Sequence, residues 1–227
     1  MAAAVVVTAC YGQYDRLQPQ VEQDVDVDWL CFTDEPSIHA PAPWQVIFDP
    51  PLFEHPNLAA KVHKCTPRVT QNDVVWIDAN MQVTSRSFAR EALHARRDGI
   101  AAWKHPRRNC IYSEAKATLG KESQGGRYDG LPILEQVGSY RAEGHPSFGG
   151  LYACGTIAWD RSIRSDFGQA WLAECVRWTY QDQLSFPVVA RRLGVRPGRF
   201  PLRQIDRHQR GVLANRWLQI HPHLKVS

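Results

Sequence analysis

Four apolar runs of strand length occupy the first 84 residues, and each closes on residues that turn a chain. They are AAVVVTAC (3–10), DWLCFTDEP (28–36), WQVIFDPP (44–51) and DVVWIDAN (73–80). They are continuous rather than alternating, as strands buried on both faces are. Between the third and fourth lies PNLAAKVHKCTPRV, which reads as helix from Asn57 to about Cys65, with Leu58, Val62 and Cys65 on one face. Strands alternating with helices predict an α/β fold with a mostly parallel central sheet flanked by helices. In such open sheets ligands bind at the carboxyl ends of the strands. Thr8, Asp34 and Asp78 stand at three of those ends.

The remaining sequence is compatible with one domain. A chain of 227 residues with 44% hydrophobic content can bury one substantial core. No stretch approaches about 18 consecutive apolar residues, so no spanning helix is expected. The start, MAAAVVVTAC, lacks a basic segment and reads as a first strand rather than a signal peptide. The six cysteines are scattered without a C-x-x-C pair, which suits reduced thiols and a cytoplasmic protein.

The second half reads as more helical. TSRSFAREALHARRDG has Thr84, Ser85 or Ser87 as N-cap and closes at Asp98-Gly99, and IAAWKHP reads as a strand. RRNCIYSEAKATLGK and LPILEQVGSYRAEG read as helices, the second with Pro132 in its first turn. GGLYACGTIAWD is apolar strand. In DFGQAWLAECVRWTY the helical spacing places Phe167, Ala170, Trp171, Cys175 and Trp178 toward a core, with Glu174 outside that set. SFPVVARRLG reads as a last helix, and the chain beyond Gly194 as irregular and basic. The expected division is a catalytic domain over 1–195 and a tail over 196–227 that packs on or completes it.

Charge is unevenly spread. The net charge is +4, yet residues 1–84 carry 4 Lys/Arg against 11 Asp/Glu, whereas Arg191 to Ser227 holds nine Lys/Arg and a single acid, Asp206. A basic block of this kind attracts anions such as diphosphates, phosphoglycans or nucleic acid, or is a solvated surface.

Four constellations bear on chemistry. Asp78-Ala79-Asn80 puts a carboxylate and an amide two residues apart at a strand end. It is either a pair of oxygen ligands for Mn2+ or Mg2+ or a strand-ending turn. Lys61, Lys64 and Arg68 fall on one face if the helix persists, and with His63 they form a cluster able to neutralise a diphosphate or a solvated face. Asp182 and Gln183 sit in a short polar break between two helices, where they face a cavity or cap LSFPVV. His208, His221 and His223 lie in the tail, where one of them could complete a metal site; His208 is the ligand expected here. Glycine-rich dinucleotide loops, Walker patterns, G-x-S-x-G and H-E-x-x-H are absent from the sequence, which disfavours Rossmann oxidoreductases, P-loop ATPases, serine hydrolases and zincins.

In order, VVVTACYGQYDRL, VDWLCFTDEP, HPNLAAKVHKCTPRV, DVVWIDANMQVTS, KHPRRNCIYSEAKA and TYQDQLSFPVVARRLGV resemble one family over roughly residues 4–195. It is a glycosyltransferase family, formerly a domain of unknown function, shared by plant mucilage-related, bacterial and phage proteins. The resemblance implies a GT-A-like fold, distantly similar to retaining glycogenin-type and lipopolysaccharide galactosyltransferase-type enzymes. It implies Thr8, Ala9 and Tyr11 near the nucleoside, Asp34 near base or ribose, and Lys61 and Lys64, with Arg68, near the phosphates. Asp78 and Asn80 match a D-x-D-like metal position, with Asn80 departing from the pattern, and Asp182-Gln183 match the pair near the donor sugar. The implied activity is hexosyl or pentosyl transfer from a nucleotide-diphosphate sugar, a UDP-sugar first of all, with Mn2+ or Mg2+ and retention of configuration. The competing readings are a nucleic-acid-binding protein, an enzyme acting on a modified base in phage DNA, and a nucleotidyltransferase. The last lacks its glycine-rich basic loop in TACYGQYD.

Overall fold

A computed structural model describes residues 4–68, 73–122, 127–209 and 211–224. The first three apolar runs form β1 (Ala4–Cys10), β2 (Val27–Thr33) and β3 (Gln45–Phe48), all parallel to one another. Helix α1 (Pro56–Cys65) follows, then β4 (Asp73–Ile77), which pairs in parallel with β1. After a short β5 (Met81–Val83) and α2 (Phe88–His94) comes β6 (Ile100–Lys104). Helices α3 (Ile111–Glu122) and α4 (Ile133–Ala142) lead to β7 (Tyr152–Trp159), the one strand of the main sheet that runs against its neighbours β4 and β6. Helices α5 (Arg164–Arg177) and α6 (Asp182–Arg192) precede the tail, whose β8 (Gly198–Arg199) extends the main sheet beside β6. The seven-stranded order is β3-β2-β1-β4-β7-β6-β8. This is the expected α/β class: a mostly parallel sheet with helices on both faces.

The period-two geometry of β1 explains its unbroken apolar sequence. Val5, Val7 and Ala9 join a core with Phe167, Trp171 and Phe186 on the α1–α5–α6 side. Val6 and Cys10 join a second core with Phe88, Trp103 and Trp217 on the other. Burying each such large apolar side chain contributes about 1.5–3 kcal/mol. A third cluster, around Ile111, Tyr140, Leu184 and Val188, fastens α3 and α4 to α6. Close approach of α1 and α5 needs Gly168, where a Cβ would lie 2.1 Å from the Cys65 carbonyl oxygen.

The structure corrects several expectations. The tail is ordered into strands: β9 (Arg207–Gln209), β10 (Val212–Ala214) and β11 (Leu218–Ile220) form an antiparallel four-stranded sheet with β5. Strand β5 immediately follows Asn80, so the last part of the chain is tied to the D-x-N segment. Asp182 and Gln183 are no break between helices but the first turn of α6, with Gln181 as N-cap. Pro132 is the N-cap of α4 rather than a first-turn residue. Glu174 is buried, because Tyr140 Oη donates to it at 2.6 Å and Arg192 Nη1 at 2.7 Å. The paired arginine makes burial of the carboxylate tolerable. Helix α1 stops at Cys65, so Arg68 leaves the face shared by Lys61 and Lys64.

The basic tail is partly consumed in ion pairs. Arg192 binds Glu143 and Glu174, Arg196 binds Asp98, and Arg216 binds Glu91. Arg191 and Arg199, together with Arg97, line a separate groove. All six cysteines are free and buried. Among the described residues no helix is long and apolar enough to cross a membrane.

Candidate active site

The carboxyl ends of β1 and β4 open onto one cleft, lined among others by Tyr11, Asp15, Lys61, Asp78, Arg127 and His223. The turn after β1 is built for this. Gly12 and Gln13 both take positive φ (59° and 52°), and the Asp34 carboxylate accepts the Gly12 N–H at 3.0 and 3.2 Å. That turn brings Tyr14 and Asp15 over the sheet edge. Asp34 acts on the loop backbone and is not among the cleft-lining residues. Ala9 and Tyr11 line the cleft, whereas Thr8 is fully buried and its hydroxyl oxygen has no hydrogen-bond partner among the described residues.

Asp78 is held from behind. Trp76, two residues earlier and therefore on the same side of the strand, donates its Nε1–H to Asp78 Oδ1 at 2.9 Å. Lys64 Nζ lies 3.3 Å from the same oxygen. The other oxygen faces Gly155, where a Cβ would sit 3.2 Å from Oδ2 and 2.3 Å from Met81 Cε. Glycine at 155 therefore leaves the space that Asp78 and Met81 occupy. Asn80 is tied to the tail: its Nδ2 donates to the His221 carbonyl at 2.6 Å, and the His221 N–H donates to the Asn80 carbonyl at 3.0 Å. The amide fastens the tail to the end of β4.

Behind the cleft, Asp182 sits between Lys61 Nζ at 2.8 Å and Lys64 Nζ at 2.6 Å, with all three groups buried. Burial alone would raise the Asp182 carboxyl, but the two ammonium groups outweigh it and hold the acid far below the usual carboxylate range. Burial likewise opposes the Lys64 charge, and Asp182 and Asp78 restore it, so its ammonium stays protonated. Lys61 reaches the cleft wall; Lys64 and Asp182 do not. The resemblance put both lysines at the phosphates and Asp182 at the donor sugar. In this structure the three form a buried charge cluster that also holds Asp78.

The other cation of the expected cluster, Arg68, belongs to a second network. Its Nη1 lies 2.8 Å from Asp49 Oδ1. Tyr11 Oη donates to Asp49 Oδ2 at 3.0 Å and lies 2.8 Å from His63 Nε2, which is itself 3.0 Å from that oxygen. Burial lowers the His63 imidazole to a pKa of about 4, so it is neutral at pH 7. It stacks on Phe32 with centroids 4.0 Å apart. Burial, and then the hydrogen bond to Asp49, keeps the Tyr11 phenol protonated.

Two cleft residues escaped the sequence reading, and a third was left among alternatives. Asp15 was seen only as part of a turn-rich segment, Arg127 lies in a glycine-flanked stretch without a pattern, and His223 was one of three tail histidines weighed as a metal ligand. The structure brings His223 to the cleft, where its Nδ1 is 2.8 Å from Asp15 Oδ1 and its Nε2 is 3.2 Å from Arg127 Nη1. His208 lies in β9, exposed and paired with Leu213, and does not line the cleft. Arg127 also meets Asn57 Oδ1 at 3.4 Å and lies over the Tyr14 ring at 5.7 Å. The Asp15 carboxyl is raised by burial, and repulsion from Asp78 adds to this, against the pull of His223. Together these contacts leave a cleft of only about 40 Å3.

A second, larger cavity of about 430 Å3 adjoins the first, sharing Arg127 and lined by Glu114, Gln181 and Gln183. Gln183 thus faces the neighbouring cavity rather than the cleft of Asp78.

Among the described residues, no three His, Cys, Asp or Glu side chains are grouped closely enough to hold a metal ion by themselves. The cleft nevertheless offers chemistry a hard divalent cation accepts: two carboxylates whose mutual repulsion such an ion would relieve, and an imidazole beside them. The first turn of α1, including Asn57, also lines the cleft and adds the positive end of its dipole.

Comparison with known proteins gives these residues a family. A search of curated proteins finds no match. A solved structure described as a WbbM bifunctional glycosyltransferase in its apo form matches with TM-score 0.46 and 10% sequence identity, over 83% of this chain. This chain spans 37% of that one. Residues 44–210 match the family model described as "TOD1/MUCI70, glycosyltransferase-like domain". That stretch contains Lys61, Asp78, Arg127 and Asp182, and the chain belongs to the TOD1/MUCI70 glycosyltransferase-like family.

Proposed function

We propose that this protein is a GT-A-like transferase that moves a hexosyl or pentosyl residue from a nucleotide-diphosphate sugar, a UDP-sugar first of all, to an acceptor hydroxyl. The observation that carries the reading is the convergence of Asp78, Asp15, His223, Lys61 and Arg127 on one cleft at the carboxyl ends of β1 and β4. Family membership supports the reaction class, and the cleft chemistry supports a diphosphate donor.

Lys61 and Arg127 would bind the diphosphate oxygens, aided by the first turn of α1. Asp182 and Lys64 act as positioning groups, the former orienting Lys61 and the latter Asp78. Asp78, with His223 or Asp15, would hold Mn2+ or Mg2+ alongside phosphate oxygens. When bound, that ion supplies charge stabilisation for the departing diphosphate. In the transfer, the bond from the anomeric carbon to the diphosphate oxygen breaks and its electron pair stays on the nucleoside diphosphate. The acceptor oxygen forms the new bond to that carbon, and its proton passes to the leaving diphosphate. By analogy with the retaining enzymes the sequence resembles, the anomeric configuration would be retained. Tyr11, Ala9 and the β1 turn would lie beside the nucleoside.

A donor whose diphosphate binds Arg127 would compete with His223, 3.2 Å from the guanidinium, for that cation. Binding then exchanges one partner of a cation for a stronger, anionic one. The test is a panel of nucleotide sugars with Mn2+ or Mg2+, read by thermal shift and donor hydrolysis. A donor at 100 times its Kd adds about 2.7 kcal/mol to stability, which raises Tm by roughly 5–10 °C in a chain of this size. Absence of any shift with every nucleotide would overturn the reading.

A further inference from the structure

We propose that the groove walled by Arg97, Arg191, Arg196 and Arg199 binds single-stranded nucleic acid, with the arginines on its phosphates and Phe148 stacked on a base. This goes beyond the transferase reading and does not depend on it.

Local packing builds the groove. Helix α6 ends in a glycine turn: Gly194 takes a φ of 66°, and its N–H donates to the Arg191 carbonyl at 3.2 Å. The Val195 N–H donates to the Ala190 carbonyl at 2.9 Å. The chain reverses there, and Asp98 Oδ2 accepts the Arg196 N–H at 2.9 Å. Gly198 then packs so closely on the segment before β6 that a Cβ would stand 2.0 Å from the Ala95 carbonyl oxygen and 2.8 Å from Arg97 N. These contacts bring arginines from the end of α6, from β8 and from the turn before β6 to one groove of about 520 Å3. Pro187, Ala190, Val195 and Pro197 supply the apolar part of its wall.

The charge of the groove is one-sided. Among the described residues no acid lines it. Asp98 and Glu143, the acids of the adjoining turns, are already matched, by Arg196 at 3.2 Å and Arg192 at 2.6 Å. Arg97, Arg191 and Arg199 are exposed and have no ion pair among the described residues. Unmatched cations of one sign in a groove concentrate anions there. All four cations are arginines, whose planar fork takes a phosphate through two hydrogen bonds.

An exposed aromatic selects the kind of anion. Phe200 and Trp217, the aromatics of the tail, are buried in the core and cannot meet a ligand. Phe148 is 79% exposed, and its neighbour Gly149 lines the groove, so the ring stands at the rim. A single nucleic-acid strand offers phosphates to the arginines and open base faces to the ring, a combination that tolerates any sequence. A duplex keeps its base faces covered, and an acidic polysaccharide has charge but no aromatic face. The groove shares no lining residue with the cleft of Asp78 or the larger cavity. Arg191 lies roughly 14 Å along α6 from Asp182 at helical rise, which leaves room for nucleic acid and sugar donor together.

The test is fluorescence anisotropy of a labelled oligothymidine titrated with the full chain at several salt concentrations. The slope of log affinity against log salt should be about −2, from three unmatched arginines at about 0.7 each. Raising salt from about 50 to about 200 mM should then weaken binding about twentyfold. The double variant Arg191→Gln, Arg199→Gln should bring the slope to about −0.7 and lower affinity at least tenfold at low salt. Phe148→Ala should weaken binding about five- to a hundredfold, as loss of one stacked base does, and leave the slope unchanged. Circular dichroism checks that the variants fold; if the double variant does not, Arg97→Gln should reduce the slope by about 0.7 instead. No oligothymidine binding at low salt, or wild-type affinity in the folded variants, overturns the proposal. So does binding of duplex DNA, a polyuronate or vesicles of anionic phospholipid as tight as that of oligothymidine.

Discussion

Helix α1 carries two charge networks that differ in what surrounds them. On one side Lys61 and Lys64 close on Asp182, all three buried, with Asp78 as a fourth member at the cleft. On the other, Asp49 gathers Tyr11, His63 and the half-exposed Arg68. The first keeps its charges because each buried ion has an opposite partner, and removing one strands the others. The second contains a histidine that burial keeps neutral, so it responds to pH instead. The lesson is that a row of cations on a helix is not one phosphate-binding face. Burial divides it into a fixed electrostatic scaffold and a titratable support.

The largest effect should come from removing the centre of the first network. Asp182→Ala leaves two buried lysines facing each other, and breaking such a pair costs about 3–5 kcal/mol. Thermal unfolding followed by circular dichroism should show Tm lower by roughly 6–20 °C; an unchanged Tm would break the contrast. Asp78→Asn tests the member that reaches the cleft. Its carboxylate is partly exposed, so the fold should persist while sugar transfer and donor hydrolysis fall about 10²–10³-fold, as when a group stabilising the transition state is lost. Full activity in excess chelator would dismiss the divalent ion.

The second network should show its character in acid. The His63 pKa is lowered on folding from 6.5 to about 4, so between those values the unfolded chain binds a proton that the folded one does not. Stability present above pH 6.5 is therefore lost as pH falls toward 4, by on the order of 3 kcal/mol. Denaturant unfolding of wild type and His63→Phe across that interval should differ in slope by close to one proton. Equal slopes would mean that the imidazole is not the sensor. The smallest effect is expected at Asn80. If it only fastens the tail, Asn80→Ala costs about 1 kcal/mol, seen in urea unfolding, and changes turnover little. A loss of activity as deep as that of Asp78→Asn would instead make Asn80 a metal ligand.

Much of the frame was legible in the residues. Unbroken apolar runs announced strands buried on two faces, and helical spacing announced the flanking helices, because both are local periodicities of the chain. Glu174 and the start of α6 at Asp182 were misread, since a buried carboxylate with a tyrosine and an arginine looks polar in sequence, and a Gln N-cap resembles a loop; Gln183 does line a cavity, as one reading of the pair had it. The tail strands were missed because runs of three residues carry no periodicity of their own. The strand that ties them to the rest of the chain, β5, pairs with β11 and lies more than a hundred residues earlier.

Sequence by itself determined the α/β class, the strand-end position of Asp78 and the family to which the order of motifs belongs. Tertiary structure alone decided that His223 rather than His208 lines the cleft with Asp78, that Arg68 parts from Lys61, and that Asp15 and Arg127 share the cleft. The reason is physical. Strand and helix signals repeat within a few residues, whereas the cleft is assembled from chain segments 112 and 96 residues apart, from Asp15 to Arg127 and from Arg127 to His223. No local periodicity records which of several histidines or arginines such a closure will bring home.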